Sequence, residues 1–400
     1  MPSLGASERG KNAPPSPIRK LEPSARAAQE RGVKIFHLNI GQPDIRTAPA
    51  FLSNARQEEG SVLAYGPSGG AYALRAAMAS YYAALGLGIE EKDLIVTTGG
   101  SEAIIFALMA AADPGDEILT PEPFYPNYAG FAVMAGLALK TLPTSIESGF
   151  ALPTTEAFEA ALTPRTRAII LCSPGNPTGT VYPPAALAAL VELARRRGLF
   201  IISDEVYREF IYDGLAPSSI LQIPGAEDVT ILVDSTSKRL SACGARIGCL
   251  VTRHEGILGA VLRFAQARLS APVLEQKGAV AAIATAGPFI ADSVGQYRLR
   301  RDSALAALGR IPGVVAPRPQ GAFYHMIRLP VRSSDDFCRW LLEEFSSGGE
   351  TVMLAPGSGF YATPGRGTDE VRLAYVLGDP ALSRAVALLG EALDRYPGRV

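Results

Sequence analysis

The stretch Ala168–Asp204, AIILCSPGNPTGTVYPPAALAALVELARRRGLFIISD, decides the fold. Ala168-Ile-Ile-Leu171 reads as a strand and runs into the turn-rich Ser173-Pro-Gly-Asn176-Pro-Thr-Gly179. A helix then begins where Pro184 can take its first position. Leu187, Leu190, Val191 and Ala194 form its apolar stripe, and Gly198 ends it. Arg195, Arg196 and Arg197 fall in the last turn, where the helix dipole favours cations. Leu199-Phe-Ile-Ile202 is the next strand. Strands apolar on both faces and separated by a helix predict a mostly parallel sheet covered on both sides.

The same rhythm extends both ways. Leu94-Ile-Val-Thr97 is a strand followed by Gly99-Gly100-Ser101 and the apolar helical stretch Ala103 to Ala112, and Thr230-Ile-Leu-Val233 is a further strand. After about residue 290 the pattern changes. Ala322 to Ile327 reads as a strand, and Ser334 can cap a helix carrying Phe337, Trp340, Leu341 and Phe345. Val371 to Val376 alternates its faces as a strand. Asp379-Pro380 then opens a last helix with Leu382, Val386, Leu389 and Leu393. The expectation is a large domain over 51–293 and a smaller α+β domain built from 16–50 and 294–400. Residues 1–15, rich in Gly, Ser and Pro, form a mobile tail.

Composition excludes several classes. The 400 residues carry 38 Lys+Arg against 39 Asp+Glu, a net charge of −1. That balance gives no electrostatic reason to expect nucleic acid or an anionic membrane as partner. Gly278 to Ala291, the longest nearly apolar run, is shorter than the ~20 residues of a membrane span. The N-terminus has no apolar stretch of a secretory signal. Cys172, Cys243, Cys249 and Cys338 lack C-x-x-C spacing and read as reduced thiols, and His37, His254 and His325 read as structural. No metal site is expected, and the compartment is the cytoplasm.

In open α/β sheets, ligands sit beyond the carboxyl ends of the strands. Gly99, Gly100 and Ser101 follow one strand, Asn176 another, Asp204 and Tyr207 a third, and Ser235, Ser237 and Lys238 a fourth. A glycine turn opening a helix offers N–H groups to a phosphate. A carboxylate can hold a protonated pyridine nitrogen, a phenol can donate to a ring oxygen, and a lysine amine can attack a carbonyl. Each has a plainer reading. Gly99-Gly100 could be only a helix-capping turn, and Arg246 and Arg372 could be members of structural ion pairs.

Taken in order, six segments resemble the fold-type I, class I/II aminotransferases that use pyridoxal 5′-phosphate, and most closely the aspartate-aminotransferase-like branch. They are Asn39-Ile-Gly41-Gln-Pro-Asp44, Tyr65-Gly-Pro-Ser-Gly-Gly70, Ser173-Pro-Gly-Asn176-Pro-Thr-Gly179, Ser203-Asp204-Glu-Val-Tyr207, Ser235-x-Ser237-Lys238 with Arg246, and Val371-Arg372-Leu-Ala-Tyr375. The similarity runs from about Ser16 to the C-terminus. It implies that Lys238 forms the Schiff base with the cofactor and shuttles the proton, and that Asp204 pairs with the pyridinium nitrogen. Asn176 and Tyr207 then donate to the ring oxygen, while Gly100, Ser101, Ser235, Ser237 and Arg246 form the phosphate cup. Tyr125 falls where the family places an aromatic ring over the pyridine, with Phe124 as its rival. Arg372 grips the substrate α-carboxylate, with Asn176 beside it and Gly41 as backbone donor. Tyr65 reaches the phosphate of a neighbouring subunit, so the resemblance implies a homodimer with shared sites.

The implied reaction moves the amino group of an L-amino acid, aspartate among the options, to a 2-oxo acid such as 2-oxoglutarate, by a ping-pong mechanism. Two alternatives use the same scaffold: a lyase performing β-elimination, and an aminotransferase for a neutral, aromatic or specialised amino acid. A ligand-sensing half of a transcription regulator is a third reading, for which the short stretch before the matched region leaves no DNA-binding domain. Aspartate-type members need a second cation for the distal carboxylate. In one subgroup an arginine supplies it from the segment that here reads Phe264-Ala-Gln266-Ala-Arg268-Leu-Ser270-Ala-Pro272, which sets Gln266 at the usual position and Arg268 two residues away.

Overall fold

The computed structural model describes residues 5–57 and 62–400, so the first four residues of the expected tail lie outside the described residues. Among the described residues the strands are β1 (Lys34–His37), β2 (Leu94–Thr97), β3 (Glu117–Glu122), β4 (Ala138–Pro143), β5 (Thr166–Cys172) and β6 (Phe200–Asp204). They continue with β7 (Thr230–Ser235), β8 (Gly248–Val251), β9 (Tyr324–Arg328), β10 (Glu350–Met353), β11 (Ala355–Pro356) and β12 (Glu370–Ala374). Seven of them form one sheet in the order β2-β8-β7-β6-β5-β3-β4. β4, β3, β5, β6 and β7 are mutually parallel, and β8 alone runs against the rest.

Strand alternation explains the covering on both faces. Ile169, Leu171 and Ile201 pack with Leu187, Leu190 and Val191 of the helix Pro184–Arg197. Ala168, Ile170 and Ile202, one residue out of phase, pack with Ala103, Ile104 and Ala107 of the helix Gly99–Ala111. Period-two alternation sends successive side chains to opposite layers, and both layers here are apolar. The α/β fold with a mostly parallel central sheet thus follows from β5, β6 and the helix between them.

A second layer is built from β1 parallel to β10, and from β12 between β11 and β9, both antiparallel. The helices Ser334–Glu343 and Ala381–Arg395 bury Phe337, Leu341, Val386 and Leu389 in the core beside these strands. The helix Ala286–Leu308 runs unbroken through the boundary expected at 293. A continuous helix therefore crosses that boundary.

Several boundaries move. Ser333, not Ser334, caps its helix. Its extended backbone lets its hydroxyl accept from the N–H of Asp336 at 3.1 Å, while Ser334 is buried inside the first turn. Ala322 adopts φ +55, so the strand expected from it begins at Tyr324. The strand expected over 371–376 runs from Glu370 to Ala374. Within the expected tail, Ser7 caps a short helix, Glu8–Asn12, beside the helix Asn127–Ala135. No single helix among the described residues is long and apolar enough to cross a membrane.

Candidate active site

The carboxyl ends of β5, β6 and β7 open onto a cavity of ≈ 620 Å³. Gly41, Gly100, Ser101, Tyr125, Asn176, Asp204, Tyr207, Ser235, Ser237, Lys238, Arg246 and Arg372 all line it. Tyr65 does not. It is 80 % exposed, and Val62, Leu63 and Tyr72 in the same stretch of chain are exposed too. Tyr125, rather than Phe124, faces this cavity. The Phe124 ring lies behind it, stacked on Tyr128 with centroids 6.5 Å apart.

One end suits an anion. The helix Gly99–Ala111 points its N-terminus at this end, where its first N–H groups lack helical partners. Gly99 has φ +77, and a side chain there would collide with the guanidinium of Arg246. Ser235 Oγ bonds Ser237 Oγ at 2.8 Å and donates to Ile247 O at 2.9 Å, which fixes the turn carrying both hydroxyls. Glu102 would oppose an anion here, but Arg268 pairs with it at 3.1 Å and also reaches Ser68 O. That pairing answers where Arg268 points: it is a counter-ion within the fold and does not line the cavity. Gln266 is exposed on the helix Glu255–Arg268 and does not line it either.

Asp204 is buried at the end of β6. Its Oδ2 accepts from Tyr128 Oη at 2.7 Å and its Oδ1 from Val206 N at 3.4 Å. Burial outweighs those bonds and raises its pKa to about 6. Among the described residues this buried carboxylate has no cation beside it, an arrangement that suits a cationic ligand atom.

Lys238 lies within the short helix Thr236–Arg239 that follows β7. Its Nζ donates to Gly41 O at 2.9 Å and lies 3.6 Å from Cys243 Sγ. A buried ionic cluster holds that turn in place. Asp234, the residue before Ser235, pairs with Arg208 at 3.0 Å and with Arg239, and accepts from Tyr82 Oη at 2.7 Å. The two guanidiniums keep the Asp234 carboxyl below its ordinary range against the opposing effect of burial.

Arg372 is 1 % exposed on β12, and burial lowers its pKa. Its guanidinium lies 4.5 Å from the Tyr324 ring centroid and 4.9 Å from that of Phe360. Nη1 donates to Asn176 Oδ1 at 2.9 Å and Nη2 to Asn39 O at 2.5 Å, while Nε finds no partner among the described residues. Among the described residues only neutral acceptors meet this buried cation, so its charge is not neutralised by an acid there. A Cβ at Gly41 would overlap the Tyr324 ring, so this wall needs glycine.

Sequence reasoning missed several lining or supporting groups. Tyr324 lines the cavity and its hydroxyl lies 2.8 Å from that of Tyr207. Tyr128 follows Tyr125 by three, a helical spacing that could have flagged it. Asn39 stood inside a quoted motif without a role. Ser16, Ile18 and Arg19 bring the N-terminal segment into the cavity wall, and Cys243 and Cys172 also line it.

A nearly parallel sheet with a basic cup, a buried acid and a lysine at its strand ends defines an enzyme of the kind that holds a phosphorylated pyridine aldehyde, and the donor set fits that group. The chain belongs to the aminotransferase class I and II family, which matches residues 33–387. It is a pyridoxal-phosphate-dependent amino-acid aminotransferase. A probable aspartate/prephenate aminotransferase of Thermus aquaticus is 32 % identical, over 98 % of this chain and 100 % of that protein. The solved aspartate aminotransferase of Thermus thermophilus with maleate superposes with TM-score 0.87 at 28 % identity, covering 98 % of this chain and 100 % of that one. N-succinyldiaminopimelate aminotransferase of Mycobacterium tuberculosis does so with TM-score 0.88 at 29 % identity, covering 97 % and 100 %. Relatives that differ this much in named substrate share one scaffold, so donor choice must come from the cavity wall.

Proposed function

We propose that the chain moves the amino group of an L-amino acid to a 2-oxo acid such as 2-oxoglutarate, with donor and acceptor visiting the same cavity in turn. The observation that carries the reading is the convergence of Asp204, Lys238 and Arg372 on one cavity with an anion cup at its end. Bound there, pyridoxal 5′-phosphate supplies an aldehyde for the amino group and a cationic ring that takes up the electron pair released at the substrate Cα.

The residues divide the work. The helix N-terminus at Gly100 and Ser101, the hydroxyls of Ser235 and Ser237, and Arg246 hold the phosphate. Asp204 keeps the ring nitrogen protonated, and Tyr128 orients Asp204. Asn176 and Tyr207 donate to the ring oxygen, and Tyr125 covers the ring face. Arg372 binds the α-carboxylate in a forked geometry that sets Cα toward Lys238. Lys238 Nζ then takes the proton from Cα and returns it on the cofactor side.

The test is the absorbance of the purified protein with its cofactor bound, followed on adding single amino acids without any 2-oxo acid. Loss of the lysine-bound cofactor band with a donor supports transamination. A band that persists while pyruvate and ammonia accumulate shows β-elimination instead. Replacing Arg372 by alanine is expected to lower kcat/KM for every amino donor by about 10²- to 10³-fold, mostly through KM, since the carboxylate loses a bidentate charged partner. Unchanged kinetics would show the clamp is elsewhere.

We further infer a cytoplasmic homodimer, with Tyr65 completing the phosphate end of a second subunit's site and with no nucleic-acid or membrane partner. The exposure of the large apolar side chains Val62, Leu63, Tyr65 and Tyr72 within one stretch of chain supports the homodimer, and four free cysteines and the net charge of −1 support the compartment and partners. Light scattering should give twice the 42.1 kDa of one chain. A monomer that is fully active contradicts the shared site.

A further inference from the structure

Glu122 closes β3 and is fully buried, yet it does not line the cavity. Burying a carboxylate is costly unless hydrogen bonds and a cation offset it. Here both come from one segment. Glu122 Oε2 accepts from the N–H groups of Ala362 at 3.0 Å and Thr363 at 3.1 Å, and its Oε1 lies 3.5 Å from Arg366 Nε. Its backbone is fixed from the other side. Thr144 donates to Glu122 O through its N–H at 2.9 Å and through its hydroxyl at 2.8 Å. Arg366 also donates to Thr144 O, so the three residues close a ring.

The segment held in this way leads to the carboxylate grip. Phe360 precedes it, and its carbonyl accepts at 2.9 Å from the N–H of Phe124, two residues beyond Glu122. The buried Phe360 ring has its centroid 4.9 Å from the Arg372 guanidinium. Tyr361 Oη donates to Glu370 Oε2 at 2.5 Å, and Glu370 and Arg372 share one face of β12. Glu122 therefore ties the seven-stranded sheet, whose strand ends carry Asp204 and Lys238, to the strand that carries Arg372. A ligand held at both Lys238 and Arg372 depends on the spacing between those two parts.

We propose that Glu122 is a positioning residue for Arg372. It acts through the segment 360–366 to set the guanidinium at the distance from Lys238 that the α-carboxylate and amino group of one amino acid require. This rests on the aminotransferase reading and names a residue outside the cavity on which that site depends. Glutamine keeps the shape of glutamate, but its amide oxygen can serve only one side. Its NH2 group then faces either the two N–H groups or Arg366, donor against donor.

The experiment follows the half-reaction of the cofactor-bound protein by absorbance over a range of aspartate, alanine and leucine concentrations, which separates donor affinity from maximal rate. Maleate affinity is measured by calorimetry. Wild type is compared with Glu122→Gln, Arg366→Met and Arg372→Ala, and with each of the first two combined with the third. Glu122→Gln should weaken every donor the wild type accepts, and maleate, by about tenfold, with maximal rate and cofactor affinity within about threefold of wild type. Arg366→Met keeps the two N–H bonds to Glu122 and should weaken the same ligands by about three- to fivefold. Added to Arg372→Ala, either substitution should change these affinities by less than about twofold, because the grip it sets is already gone. Losses that repeat in full on Arg372→Ala would show general loosening and overturn the assignment. So would unchanged affinities in the single variants, or a loss confined to the maximal rate or to cofactor binding. If Glu122→Gln does not fold, Arg366→Met decides, since its side chain is 34 % exposed and tolerates replacement. A wild type whose cofactor band responds to no amino acid would instead overturn transamination, and the maleate affinities would still report on Glu122.

Discussion

Replacing Lys238 by alanine is expected to leave a folded protein that retains no covalently attached cofactor and turns over amino acids at least about 10³-fold more slowly. The turn around Lys238 does not depend on its side chain. Asp234 is fixed by Arg208, Arg239 and Tyr82, and Ser235 by Ile247 O, all through other residues. The residues proposed to hold the phosphate and Asp204 also remain, so binding of the cofactor should survive. What is lost is the amine 2.9 Å from Gly41 O, beside the wall where Asn39 and Arg372 meet. Lys238→Arg separates charge from proton transfer. A guanidinium keeps the charge but stays protonated, so it cannot take a proton from Cα, and this variant should be as inactive as the alanine one. Turnover within tenfold of wild type in either variant, with the melting temperature unchanged, would sink the assignment of Lys238 as the proton carrier.

The sheet was legible because β5, β6 and the helix between them are punctuated locally, by Pro184 and Gly198 and by apolar strands. The strand-end residues were legible because a parallel sheet gathers its carboxyl ends on one rim, so Asn176, Asp204 and Lys238 had to lie near each other. Groups that reach the cavity through long-range packing left no such mark. Tyr324 comes from β9 and bonds Tyr207, 117 residues earlier in the chain. Arg19 reads as one more cation in a segment that also carries Lys20, and only the contacts of Pro17 and Ile18 distinguish the two. Arg268 shows the converse. It lies two residues from the position where one subgroup carries a substrate-binding arginine, whereas the fold sets Glu102 beside it in the first turn of the helix Gly99–Ala111. Sequence spacing cannot show which of two arginines already has a partner. Cap residues are equally local and equally ambiguous, as Ser333 and Ser334 show.

Asp204→Asn should abolish function and change stability in a pH-dependent way that no packing effect can imitate. In the cofactor-free protein, burial raises the Asp204 pKa from 3.8 to about 6. A folded-state value above the unfolded one means that the folded state holds the proton more tightly. The carboxylate is therefore least costly below about pH 4, and stability falls as pH rises through the window to about 6, beyond which the full penalty persists. A shift of about two units corresponds to about 3 kcal/mol. Asparagine does not titrate. It can still accept from Tyr128 Oη, and any cost of its unpaired amide N–H groups is the same at every pH. The unfolding free energies of the two cofactor-free proteins, from denaturant titration, should therefore diverge by about 3 kcal/mol between pH 4 and pH 8, with asparagine gaining toward high pH. Cofactor should cancel the divergence, because a cationic ring nitrogen beside Asp204 favours the carboxylate and lowers its pKa. The same substitution should reduce transamination by about 10³-fold, since nothing then holds the ring nitrogen protonated. A stability difference that is equal at both pH values would show that Asp204 does not titrate in this window, and its role as the partner of the ring nitrogen would lose its physical basis.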